Sequence, residues 1–254
     1  MRRMIAIPCA GETLAATLDE APGTTGLLIV SGGNEIRCGA HRGMALLAQR
    51  LAARGIPVLR YDRRGIGDSS GTNAGFLSSR PDLVAAASSF RAAVPTVSRL
   101  VGFGNCDAAS ALALFGKDAG LDGIVLANPW LAAETDDLPP AAAIRARYAQ
   151  RLRDPREWLR LARGSVDIGN VIRGLRKLSA TPAEVGDPHA TRILDAIGRW
   201  GTSATVILAG ADATARAYAA ANGAAVRTVT IDTASHSFAG AAATRLEAEI
   251  VAAL

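Results

Sequence analysis

The chain is poor in several residue types, and each shortage removes a class of function. Aromatic residues make up only 4% of it, and no basic run carries the interleaved aromatic side chains on which nucleic acid stacks. The formal net charge of +5 therefore gives no argument for nucleic acid binding. No apolar run approaches the roughly 20 residues needed for a membrane-spanning helix. Arg2 and Arg3 imitate the basic start of a signal peptide, but Pro8 interrupts the apolar stretch behind them and Glu12 follows it. A cytoplasmic protein is expected. The three cysteines, Cys9, Cys38 and Cys106, are odd in number and widely spaced, with no CxxC pair and no histidines at zinc-ligand spacing. Neither a disulfide framework nor a metal site is expected. A GxGxxG fingerprint opening a helix after the first parallel strand is also absent. The nearest approach, Gly102-Phe103-Gly104-Asn105-Cys106-Asp107, lacks the third glycine. No cofactor is expected.

What remains is a chain of 254 residues with 49% hydrophobic and 20% charged residues, enough to bury a sizeable core. Met4 to Ile7 and Thr13 to Leu18, on either side of Ala10-Gly11, read as an opening β-hairpin. Short apolar runs follow at Leu27 to Val30, Val58 to Tyr61, Leu100 to Phe103, Ile124 to Ala127, Val206 to Leu208 and Val226 to Ile231. Such runs suit strands buried on both faces. Helical stretches between them, such as Arg42 to Arg54 and Leu83 to Ala93, imply right-handed crossovers and a mostly parallel sheet. From Leu131 to Trp200 this rhythm stops, and a helix-prone stretch broken by prolines and glycines reads as an inserted cap. The expected division is a core of residues 1–130 and 201–254 and a helical cap of residues 131–200.

Gly104-Asn105-Cys106-Asp107-Ala108 lies between a strand and a helix and has the form small-x-nucleophile-x-small. Small neighbours let such a turn tighten and present the nucleophile on a strained backbone. At a helix N-terminus the macrodipole and free N–H groups favour a thiolate. A bland alternative is that Cys106 is a buried small apolar residue. His236, in Thr233-Ala234-Ser235-His236-Ser237-Phe238, directly follows the last expected strand. There it could serve as general base toward Cys106 and then as general acid toward the leaving group. Asp212, just past the penultimate strand, could orient the imidazole, or could merely cap the next helix. Asp232, four residues before His236, is a rival orienter.

This chain order of nucleophile, acid and histidine is that of α/β-hydrolases, so the expected fold is an α/β-hydrolase fold with an eight-stranded sheet. Acyl transfer needs donors aimed at the developing oxyanion. The backbone N–H of Asp107 and one from Gly33 or Asn34, in the turn Ser31-Gly32-Gly33-Asn34, are the candidates.

More widely, the chain resembles the exosortase A system-associated hydrolases, in the branch with a cysteine elbow. The residues that carry this are Gly104 to Ala111 (GNCDAASA), Tyr61 to Ser69 (YDRRGIGDS), Ala127-Asn128-Pro129-Trp130, and His41-Arg42 at the start of the first helix. The resemblance covers about Leu27 to His236 and implies a hydrolase or acyltransferase linked to exopolysaccharide synthesis and protein sorting. It also makes His41, Arg42 and Trp130 candidates for substrate contact. One departure is Asn34-Glu35-Ile36, where Pro-Gln-Tyr is expected after the glycines.

Residues Ala141 to Ala180 hold ten Arg or Lys against three acids, a local +7 that exceeds the +5 of the whole chain. Such a field could draw in an anionic acyl donor, such as a CoA thioester or an acidic carrier protein, or could be a solvated helix face. The expected reaction is cleavage of a small-molecule ester or thioester through an acyl-cysteine, with acyl transfer or a non-catalytic scaffold as alternatives.

Overall fold

The computed structural model describes residues 1–132, 188–221 and 225–254. The chain divides into one compact unit made of Met1–Thr135 and Val185–Leu254 and another made of Asp136–Glu184. All the described residues lie in the first. Residues 133–187 of the expected cap, and with them the basic stretch 141–180, lie outside the described residues.

The hairpin comes first. Strands β1 (Arg2–Cys9) and β2 (Glu12–Asp19) pair antiparallel, and Ala10 and Gly11 turn the chain with positive φ at both positions. That backbone matches the right-handed twist of the flanking strands. Six further strands follow: β3 (Thr25–Val30), β4 (Val58–Tyr61), β5 (Arg99–Asn105), β6 (Gly123–Ala127), β7 (Ala204–Ala209) and β8 (Arg227–Ile231). They run parallel to one another in one eight-stranded sheet of order β1-β2-β4-β3-β5-β6-β7-β8, with β2 antiparallel to β4. This is the α/β-hydrolase architecture that the alternation of strands and helices predicts.

The strand side chains alternate between two apolar layers, as a period of two requires. Leu27, Ile29, Val101 and Phe103 join α1 (Gly43–Ala53) and the C-terminal helix Ala242–Ala253 on one face. Leu28, Val30, Leu100 and Leu126 face α2 (Arg80–Ala93) and α3 (Asp107–Phe115) on the other. Helix α3 packs closely against the sheet at Gly102 and Gly104, and the sequence permits it. A Cβ on Gly102 would come within 2.6 Å of Leu112, and one on Gly104 within 2.8 Å of the Ala108 backbone. Two glycines, two residues apart on one strand face, make the room into which α3 settles.

Helix α4 (Pro188–Gly198) falls within the stretch expected as cap, yet it packs in the core unit against α3. Ile193 and Ile197 are fully buried, His189 meets Phe76 edge to face, and Trp200 Nε1 donates to the Ala113 carbonyl at 3.1 Å. The apolar spacing Ala190, Ile193, Ile197 specifies a helix with one buried face. It does not specify which surface that face covers. Helices α5 (Ala213–Ala220) and α6 (Ala242–Ala253) complete the α-helices among the described residues. No helix among the described residues is long and apolar enough to cross a membrane.

Truncating Ile193 to alanine should cost about 2–4 kcal/mol of stability, because it empties a fully buried position on the core-facing side of α4. Urea unfolding of the whole chain measures this, and a cost below about 0.5 kcal/mol would be that of a surface change and would place α4 outside the core.

Candidate active site

Cys106 stands between the last residue of β5 and the first of α3, with φ 61° and ψ −126°. No ordinary side chain adopts this conformation freely, and holding it costs about 1–3 kcal/mol. Neighbouring backbone supplies the restraint. The Cys106 N–H donates to the Ala127 carbonyl at 2.9 Å, and the Cys106 carbonyl accepts from Ala109 at 3.1 Å and from Trp130 at 3.3 Å. Ser110 Oγ donates to the Trp130 carbonyl at 2.5 Å, so the Trp130 segment braces the turn from its far side. Trp130 was expected to contact substrate; its backbone has this bracing role, and its indole Nε1 is buried with no partner among the described residues.

His236 comes from the loop after β8, and two asparagines fix that loop. Asn105 Nδ2 and Asn128 Nδ2 each donate to the His236 carbonyl at 3.1 Å. Asn128 itself is fully buried, with φ 42°. Its Nδ2 also donates to Asn105 Oδ1, and its Oδ1 accepts from the Ala209 N–H at 2.8 Å. Neither asparagine stands out in the sequence except as a member of a motif. Their positions at the C-terminal ends of adjacent strands are the signal that could have found them.

His236 Nδ1 stands 3.1 Å from Asp212 Oδ2, an ion-pair distance at which the N–H lacks the alignment of a full hydrogen bond. Asp212 Oδ1 meanwhile accepts from the N–H groups of Thr214 at 3.0 Å and Ala215 at 3.1 Å at the start of α5. The two roles weighed for Asp212 are thus filled together, one by each oxygen. Asp232 is exposed and makes no ion pair with His236.

The electrostatics follow from these contacts. Burial pushes the Asp212 carboxyl up, but contact with His236 and the N–H groups of Ala215 and Thr214 outweigh it and hold the carboxyl below its ordinary range. Burial likewise disfavours the His236 imidazolium. Its contacts with the Asp212 and Cys106 side chains, and their negative charges, outweigh this and push its pKa up to about 10. The imidazolium is therefore the form that belongs beside Cys106 at neutral pH.

The expected oxyanion donors fare differently. Gly33 requires correction: its N–H donates to Asp107 Oδ1 at 2.6 Å and is already committed. Arg63 Nη2 ties the same two residues together, bonding the Gly33 carbonyl and Asp107 Oδ2. Asp107 and Arg63 are 1% and 4% exposed, so this is a buried pair. Gly32 permits it, since a Cβ there would collide with the Asn105 carbonyl. The Asp107 N–H opens α3 and has no acceptor within the helix. Asn34 follows in the turn closed by the Glu35 N–H to the Gly32 carbonyl at 3.0 Å, and its Oδ1 accepts from Asn73 Nδ2 at 2.9 Å. His41 and Arg42 both have positive φ, 52° and 60°, and exposed side chains at the start of α1. Among the described residues no cluster of His, Cys, Asp or Glu could hold a metal ion.

The model of the alpha/beta hydrolase family matches residues 27–250. No curated protein matches the chain. Solved structures do. An esterase from Pyrococcus furiosus superposes with a TM-score of 0.65 at 14% identity, covering 100% of this chain and 90% of that chain. An a/b serine hydrolase without lid from Xanthomonas campestris gives 0.60 at 15% identity, covering 99% and 93%. A thioesterase domain from the curacin biosynthetic pathway gives 0.58 at 14% identity, covering 99% of each. At these identities the likeness speaks for the fold alone.

Because Cys106 helps to hold the His236 proton, Cys106→Ala should lower the His236 pKa from about 10 toward the ordinary histidine range. NMR titration of the imidazole signals reads this directly. The sign for stability follows: the contribution of His236 is full below the unfolded value of about 6.5 and is lost as pH rises through about 10.

Proposed function

The chain belongs to the alpha/beta hydrolase family, and from that premise we propose that it cleaves an ester or thioester through an acyl-cysteine intermediate on Cys106. The observation that carries this reading is the meeting of three chain segments: Cys106 on its strained turn, His236 in contact with it, and Asp212 Oδ2 at 3.1 Å from His236 Nδ1. An esterase and a thioesterase domain among the similar folds agree with that class of substrate.

In the proposed cycle the Cys106 thiolate attacks the acyl carbon, and the carbonyl oxygen takes up the negative charge. The Asp107 N–H holds that oxygen, with Asn34 offering the second donor because Gly33 is committed to Asp107. As the tetrahedral species collapses, the leaving alkoxide or thiolate takes the proton of the His236 imidazolium. Neutral His236 then removes a proton from water, and the hydroxide attacks the acyl-cysteine carbon. The carboxylic acid departs, and Cys106 returns as thiolate beside imidazolium. Asp212 keeps the ring oriented through both half-reactions. No metal or cofactor enters the cycle.

His41 and Arg42, exposed at the start of α1, and Trp130 are the proposed substrate contacts. The link to exopolysaccharide and exosortase pathways is carried by the resemblance of the elbow and its companion motifs. The basic stretch 141–180 of the proposed cap would favour an anionic carrier for the acyl group.

Labelling with a small neutral alkylating agent, followed by mass spectrometry, tests the nucleophile. Cys9 is an internal control, because burial and the neighbouring Asp82 push its thiol up to about 11. Cys106 should react at least about tenfold faster than Cys9. His236→Ala should lower both that rate and ester turnover, the latter by at least about a hundredfold. If Cys106 reacts no faster than Cys9, or if His236→Ala changes neither rate, the mechanism is wrong.

A further inference from the structure

We propose that Asn128 is a positioning residue for the hydrolytic reaction: its side-chain amide ties the loop of Asp212 to the loop of His236 and so sets the imidazole against Cys106. The inference rests on the hydrolase reading above and deepens it by naming the group that holds the base in place.

Asn128 directly follows β6 and continues its ladder, since its N–H donates to the Ile207 carbonyl of β7 at 3.0 Å. Its side chain then reaches two loops. Oδ1 accepts from the Ala209 N–H at 2.8 Å, and the Ala209 carbonyl accepts from the Asp212 N–H at 2.9 Å. A backbone N–H can only donate, so Oδ1 has to face Ala209 and Nδ2 is left to face the other way. There it donates at 3.1 Å both to the His236 carbonyl and to Asn105 Oδ1. Asn105 Nδ2 supplies the second donor to that carbonyl, which occupies both of its lone pairs. The residue type suits the position. Asn128 is fully buried at φ 42°, a left-handed conformation in which asparagine is enriched over other non-glycine residues.

The His236 loop has few other attachments. The Ala211 N–H donates to the Thr233 carbonyl at 3.0 Å, before the loop leaves the sheet. From Ala234 to Ala239, the other hydrogen bonds among the described residues are internal: the Ser235 N–H to Thr233 Oγ1, the Phe238 N–H to the Ser235 carbonyl, and the Ala239 N–H to Ser235 Oγ. Phe238 is packed in the core, which anchors the chain two residues beyond the histidine. The ring itself is held loosely, because Nδ1 lies 3.1 Å from Asp212 Oδ2 without hydrogen-bond alignment. Placement of the imidazole therefore falls to the backbone of His236, and Asn128 is the group that joins that backbone to the acid side of the site. A base displaced by about 1 Å can lose about a hundredfold in rate.

The test is alkylation of Cys106 by a small neutral agent, with Cys9 as the buried reference, in the full-length protein. It compares wild type, Asn128→Gly and Asn128→Asp, each with and without His236→Ala. Glycine accepts the left-handed backbone and removes the amide. Aspartate keeps the shape and the acceptor for Ala209 but has no donor for His236. Either variant should slow Cys106 by about tenfold. In the His236→Ala background the further loss should stay below about twofold, because Asn128 acts through the histidine. Slow labelling of Cys9 reports that a variant is folded, and if the glycine variant exposes Cys9 the aspartate variant carries the test. In Asn128→Gly the His236 imidazole should also titrate below the wild-type value of about 10, which damage confined to the sheet would leave unchanged. A folded variant with wild-type Cys106 reactivity, or an equal loss with and without His236, overturns the role of Asn128 and leaves the hydrolase reading standing. A wild type in which Cys106 reacts no faster than Cys9 overturns the hydrolase reading and this inference with it.

Discussion

A buried carboxylate and a buried guanidinium hold the working edge of the sheet together. Asp107 opens α3 beside Cys106, Arg63 follows β4, and Gly33 follows β3. Asp107 Oδ1 takes the Gly33 N–H, while Arg63 Nη2 bonds Asp107 Oδ2 and the Gly33 carbonyl. Removing two charges from water consumes most of what their attraction returns, so such a pair is weak evidence for stability. Its consequence here is geometric. With either partner lost the other would remain buried and unpaired, so loops from three different elements are fixed relative to one another. The position of Cys106 against the Gly32 to Asn34 turn depends on that fixation.

A second constraint acts from the other side. The turn at Cys106 holds a φ of 61° only because its N–H and carbonyl are engaged by Ala127, Ala109 and Trp130. Asn105 and Asn128 then carry the geometry across to the His236 carbonyl. The histidine is located through its backbone by asparagines at the ends of the two strands next to Cys106, and its ring lies 3.1 Å from Asp212 Oδ2. Both attachments terminate on rigid elements, which is what a site needing sub-ångström placement requires.

Conserving N–H groups for chemistry is a further theme. Asp107 offers its own N–H at the first helical position while its side chain occupies that of Gly33. One residue therefore both supplies and withdraws a donor at the same place. The turn Gly32 to Glu35 that carries the Gly33 contact is closed by a single backbone hydrogen bond, from the Glu35 N–H to the Gly32 carbonyl.

The sequence by itself determined the periodic features. Short apolar runs specified the strands, the small residues Gly104 and Ala108 specified a tight strand-to-helix turn, and chain order singled out Cys106, His236 and Asp212. These are local properties, because period, turn chemistry and order are written along the chain. Pairings between distant segments were not legible. The helix Pro188–Gly198 could be recognised from its spacing but not assigned to the core, since an apolar face does not name the surface it meets. For Asp212 the chain order allows either a cap or an orienter, and in the fold its two oxygens face different partners. Nothing near Gly33 in the chain shows that its N–H is held by Asp107, 74 residues away. Contacts at such separations are decided by how the loops close over the sheet, and only the tertiary structure fixes that.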